Sequence, residues 1–129
     1  MAQALEDLLD ALEDVDDATR EEASNALAEL ADPTTLDALV GACGDEYWAV
    51  RAHAGRGVAK IGGAKAVDAL ILLFNDSIME VRNDAVVAMT SMGAAVVDRL
   101  MTALKDERWR VREYAAKTCG EIKDRRAVE

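Results

Sequence analysis

Four arginines, Arg20, Arg51, Arg82 and Arg112, each follow an aspartate by six residues, the aspartates being Asp14, Asp45, Asp76 and Asp106. A row of guanidinium groups at regular spacing is one way to hold phosphates or carboxylates, through charge-assisted bidentate hydrogen bonds. Because the aspartate column is complete and in step with the arginine column, a second chemistry fits better. Each Asp would hold a turn and each Arg would bridge to a neighbouring copy, a structural ladder rather than a ligand site. Other candidates for chemistry are sparse. His53 is the single histidine, and a metal site needs at least three well-placed ligands, so no metal and no cofactor are expected. Gly55-Arg56-Gly57 has the composition of a phosphate loop but lies within a helical pattern with no strand before it. Cys43 and Cys119 belong to no CxxC pair, and no nucleophile–base pair presents itself.

The ladder residues must be held by a repeating unit. Ala115 recurs as Ala85, Ala54 and Ala23, and Ile122 as Met92, Ile61 and Leu30, so four columns keep one register over steps of 31, 31 and 30 residues. A fixed period of this length predicts stacked helical pairs, each burying its apolar face on the next. Cys119 aligns with Leu27, Val58 and Met89, and Cys43 with Leu12, Phe74 and Leu104. Both cysteines therefore read as core residues.

Along the chain, Leu5, Leu8, Leu9 and Leu12 form one helical stripe over residues 2–13, and residues 18–31 make a second helix with Ala23, Ala26, Leu27 and Leu30 inward. Asp32-Pro33 predicts an N-cap followed by Pro at the first helical position, opening a helix with Leu36, Leu39, Val40 and Cys43 inward. Residues 47–61 follow, closed by Gly62-Gly63 as a left-handed cap. Residues 64–74 repeat the first-helix pattern, and Ser77-x-x-Glu80 has the spacing of a capping box ahead of a helix to Met92. Residues 94–104 and 108–122 complete the last pair. Lys123 to Glu129 align with the opening of another first helix. The expectation is one all-α domain over residues 1–129, an α-solenoid of four helix pairs (about 2–31, 32–62, 63–93 and 94–123). A cut-short fifth repeat would begin at 124–129 and leave an apolar face at that end.

Composition limits the partners. The chain is 51% hydrophobic with a formal net charge of −10, too apolar for a disordered segment and too acidic for general nucleic-acid or anionic-membrane binding. Residues 1–50 hold 14 acidic side chains and only Arg20 as a base, whereas residues 51–129 hold 11 acidic and 14 basic ones. Without an apolar run of about 20 residues or a basic leader, and with unpaired cysteines, the expected location is the cytoplasm.

The period near 30, D-x(5)-R on the second helix, A-x(6)-[IM]-G at its end and [AV]-V-x-x-L opening the next resemble the HEAT-like repeats of the phycobilisome-lyase type. The resemblance implies a right-handed superhelix whose second helices line a concave face. Positions three, four, seven, eight and eleven after each Asp would then point into a groove. Among these, Trp48, Ala52, His53, Met79, Asn83, Trp109, Arg110, Glu113, Tyr114 and Lys117 are the candidate partner-binding residues. Aromatic, Met and Arg side chains are typical of protein-binding hot spots. In the deoxyhypusine hydroxylase branch, metal is held by His-Glu pairs recurring across repeats. Here His53 is followed by Ala54, and Glu22, Asp84 and Tyr114 stand at its equivalents.

The expected function is a non-catalytic scaffold or adaptor that binds a protein partner in the groove. The partner would be basic where it meets the acidic first repeat, around Asp17, Glu21 and Glu22. The family resemblance also implies an alternative, a bilin-lyase-like subunit that handles a tetrapyrrole. Weak self-association is a further expectation, with Arg125 and Arg126 at the C-terminal face meeting the acidic first repeat of a second copy.

Overall fold

The computed structural model describes residues 2–128, and side chains as far as Arg125. Among the described residues eight α-helices follow one another: α1 (Ala2–Ala11), α2 (Asp17–Leu30), α3 (Leu36–Ala42), α4 (Trp48–Ile61), α5 (Ala64–Leu73), α6 (Met79–Met92), α7 (Val97–Ala103) and α8 (Trp109–Val128). Short 3-10 turns, Pro33–Thr35 and Gly93–Val96, lead into α3 and α7. Odd and even helices pair in order, and one apolar core runs through the stack, with Leu27, Leu39, Val50, Val58, Leu70, Phe74, Met89, Leu100 and Val111 fully buried. The protein is an α-solenoid.

The second helices α2, α4, α6 and α8 pack directly on one another in sequence, whereas α3, α5 and α7 touch their counterparts far less. Closer spacing of the even helices curves the stack toward them and makes theirs the inner face. Small residues permit that spacing. A Cβ added at Gly57 on α4 would come within 3.1 Å of Ala28 Cα on α2.

Local signals explain most boundaries. Asp16 caps α2, its carboxylate accepting from Thr19 N at 3.0 Å. Asp32 accepts from Thr34 N at 2.8 Å with Pro33 at the first position of its turn. Residues 79–103 form an apolar stretch, with mean hydropathy 1.3 over an 18-residue window. Gly93, at φ +68°, breaks that run between two helices of 14 and 7 residues.

Several expectations are corrected. The Ser77/Glu80 capping box does not form, because Ile78 is the N-cap and no side chain caps α6. Gly62 has positive φ (85°) but extended ψ (−174°), so it reverses the chain without a left-handed cap. That conformation belongs instead to Ala31 (φ 47°, ψ 41°) at the end of α2. Leu30 is 48% exposed rather than inward, since α1, with no buried residue of its own, covers α2 incompletely. Residues 124–128 do not open a new helix; α8 continues through them to Val128. Lys123 stands where Gly62 and Gly93 stop the earlier second helices, and nothing there forces the backbone out of the α region. Among the described residues of the last pair, Asp98, Arg99, Thr102, Lys105, Arg112 and Lys123 are exposed beside Met101, Ala94, Ala95 and Ala116, so charge interrupts the expected apolar face there. Arg126 and Glu129 carry side chains outside the described residues.

Candidate functional site

In every repeat, Oδ1 of the column aspartate accepts from the backbone N–H two residues on. These bonds run from Asp16 to Asp14 (2.9 Å), Tyr47 to Asp45 (2.8 Å), Ile78 to Asp76 (2.9 Å) and Arg108 to Asp106 (2.9 Å). The arginine then reaches back across the same turn. Nη1 donates to the carbonyl of its own Asp in all four copies, at 2.8 Å for Arg20 and Arg51 and 2.7 Å for Arg112. In the first two copies the remaining edge reaches the next repeat. Arg20 Nε and Nη2 meet Asp45 at 3.0 and 3.2 Å, and Arg51 Nε and Nη2 meet Asp76 at 2.7 and 3.0 Å. The bond to Asp45 is the main reason the Arg20 guanidinium holds its proton more tightly than an ordinary arginine. These donors are spent on the protein's own carboxylates and carbonyls. They leave no fork for an anion.

The third rung is missing. Arg108 turns back on Asp106, Nε to Oδ1 and Nη2 to Oδ2 both at 2.9 Å. That bidentate bond holds the Asp106 carboxyl well below the usual carboxylate range. Arg82 is left with its Nε buried and without a partner, its guanidinium 5.3 Å from the Tyr114 ring centroid. The competing position holds Tyr47 and Ile78 in the two copies whose aspartates accept a rung.

On the inner face, Trp48 is 40% exposed, Met79 55%, Val87 70% and Trp109 59%. Trp48, Ala52, His53 and Val87 line one cavity of about 450 Å3, with Glu21 at its α2 rim and Asp84 at its α6 rim. A second cavity of about 410 Å3 lies between α6 and α8, lined by Asn83, Lys117, Glu121 and Arg125, and it shares Val87 and Ser91 with the first. The two form one groove across α2, α4, α6 and α8.

The expected site residues divide three ways. Trp48, Ala52 and His53 share the first cavity, and Asn83 and Lys117 share the second, where Lys117 Nζ donates to Asn83 Oδ1 at 3.4 Å. Met79, Trp109, Arg110 and Glu113 line neither. Arg110 is folded over Trp109 with its guanidinium 5.0 Å from the ring centroid, so these two form a separate exposed patch at the start of α8. Tyr114 is corrected outright. It is 9% exposed, packed 6.3 Å from the Phe74 ring, because its long side chain extends past the groove lip into the seam between repeats.

His53 bridges the charges at the α2 side. A guanidinium can only donate, so the 3.3 Å contact from Arg56 Nη2 makes His53 Nδ1 the acceptor and places the ring proton on Nε2, 3.7 Å from Glu21 Oε2. Among the described residues no group of three or more His, Cys, Asp or Glu side chains is placed to hold a metal. Burial pushes the Cys43 thiol up to about 12 and raises that of Cys119, which suppresses the nucleophilic thiolate. Sequence reasoning missed the lower wall of the groove. Lys60, Ser91 and Glu121 stand fifteen residues after their aspartates, and continuing the groove spacing one further turn would have reached them.

An array of helical pairs with a groove on its inner helices defines a helical-repeat solenoid. The HEAT repeat family supplies the match: a model of consecutive HEAT repeats covers residues 5–90 and a single HEAT repeat covers 96–124. The chain belongs to that family. No curated protein matches it. Among solved structures it is similar to three engineered proteins from the Northeast Structural Genomics Consortium. They are 24%, 20% and 22% identical, with TM-scores of 0.57, 0.56 and 0.55 over 95%, 91% and 92% of this chain. The chain spans 64%, 62% and 37% of their lengths. At these identities the likeness concerns the fold alone.

Proposed function

We propose that this protein is a non-catalytic interaction scaffold that holds a segment of a protein partner along the inner groove. Within the HEAT repeats, its Asp and Arg spacing supports a reading as the phycobilisome-lyase type. The observation that carries the proposal is the line of large apolar side chains left open on the second helices, Trp48 and Val87 above all, while the repeat core is complete without them. Contiguous exposed apolar surface in a concave site is a mark of binding. The first repeat's carboxylates favour a partner that is basic there, and the same charge disfavours nucleic acid. The tetrapyrrole alternative is less favoured, since in the first cavity propionate groups would meet Glu21 and Asp84 and would compete with Glu29 for Arg56 and Lys60.

The test is capture from a cell lysate with wild type beside a Trp48→Ala/Val87→Ser variant. Both are first checked for equal helicity and melting temperature, and the purified captured protein is then titrated against each. Losing a central aromatic anchor weakens binding about 30-fold. Equal affinity for the two proteins would remove the groove from the function.

A further inference from the structure

The groove's charges are unequally satisfied. Two cations reach the first cavity, and both already have a carboxylate outside it. Arg56 Nη1 donates to Glu29 at 3.0 Å, its Nη2 meets Asn25, and Lys60 Nζ lies 3.9 Å from the same Glu29. The two anions have no such partner. Glu21 has only the histidine ring at 3.7 Å, and Asp84, exposed on α6, forms no ion pair among the described residues. Between them lies an apolar floor of Trp48, Ala52 and Val87. A cation on an aliphatic stem complements all three parts, with methylenes on the floor, charge near the indole face and the head toward a carboxylate. An acidic side chain would have to displace Glu29 from both of its cations.

Resting on the scaffold reading above, we propose that this cavity is a receptor for lysine or arginine side chains of a basic partner segment. The stem lies over Trp48, Ala52 and Val87, and the head group pairs with Glu21 at the α2 rim or Asp84 at the α6 rim. The second cavity, bordered by Lys117 and Arg125 against the one carboxylate of Glu121, gives the groove a polarity and so orients the segment, its basic part over α4.

Three capped dodecamer peptides of alanine and leucine, carrying two arginines, two glutamines or two glutamates at the same places, are the probes. Trp109→Phe leaves Trp48 as the single tryptophan, and its emission reports occupancy. The arginine peptide is expected to bind about tenfold tighter than the glutamine peptide at low salt, and the preference should shrink as salt rises. Glu21→Gln with Asp84→Asn is expected to abolish the preference. Both residues are surface groups, and Glu21→Lys serves as a second variant that should favour the glutamate peptide. Equal binding of the arginine and glutamine peptides, or a preference that survives both variants, would overturn the receptor while leaving the groove standing. Binding of none of the three would overturn it too. The scaffold reading fails separately, if the captured partner ignores Trp48→Ala/Val87→Ser.

Discussion

Replacing Arg108 with isoleucine, the residue at the matching turn position of the third repeat (Ile78), should restore the missing rung between the last two repeats. In the protein as it stands, Arg108 occupies both Asp106 oxygens at 2.9 Å, and the buried Arg82 Nε has no acceptor. An unsatisfied buried donor costs on the order of 1–3 kcal/mol. Freed of Arg108, Asp106 can take Arg82 as Asp45 takes Arg20 and Asp76 takes Arg51. What is lost is a pair whose arginine side chain is 42% exposed, a weak contributor by comparison. The Arg82–Tyr114 contact at 5.3 Å already recovers part of the penalty. A net gain of about 1 kcal/mol follows, at the low end of the cost of the orphaned donor. Urea unfolding followed by circular dichroism would measure it, and a double-mutant cycle with Arg82→Met assigns it. Arg82→Met should be the more damaging change in the Arg108→Ile background. Equal cost in both backgrounds, or a less stable Arg108→Ile protein, would refute the ladder argument.

Ala31→Gly should stabilise the first repeat by about 0.5–1 kcal/mol, as relief of a left-handed alanine of about 1–2 kcal/mol outweighs glycine's extra unfolded-state entropy. A thermal melt checks it, and a lower melting temperature would show that Ala31 is unstrained. Gly57→Ala should destabilise by about 1–2 kcal/mol despite its better helix propensity, because the new Cβ meets Ala28 Cα at 3.1 Å and α2 must shift. Unchanged urea stability would mean that the inner helices separate freely. Both cysteines should react with a thiol reagent at pH 8 far more slowly in the folded protein than in urea, Cys43 the more so. With the folded thiol near 12 and an unfolded one near 8.5, Cys43's contribution to stability is intact below about pH 8.5 and falls as pH rises toward 12. A flat stability curve across that range would contradict its burial.

Chain order alone carried the repeat, the pairing of helices and the residues of the ladder, because each is a one-dimensional property. A column of Asp at a period near 31 needs only the sequence to be seen, and an apolar residue every third or fourth position commits a helix face to burial wherever the helix is placed. The turn geometry was legible for the same reason, since an Asp carboxylate bonds the N–H two residues on without help from the rest of the fold. Tertiary structure decided what depends on competition between residues far apart in the chain. Arg82 and Arg108 both seek Asp106, and distance along the sequence does not say which one wins; the nearer side chain closes the smaller ring and takes it. Tyr114 and His53 occupy the same register position, yet the tyrosine is long enough to reach Phe74 in the preceding pair while the histidine stays in the groove. The cavity that unites Glu21, Trp48 and Asp84 draws on three helices and exists only because α2, α4 and α6 come close enough to share a wall. Periodicity tells which way a side chain points on its own helix, and only packing tells what it meets there.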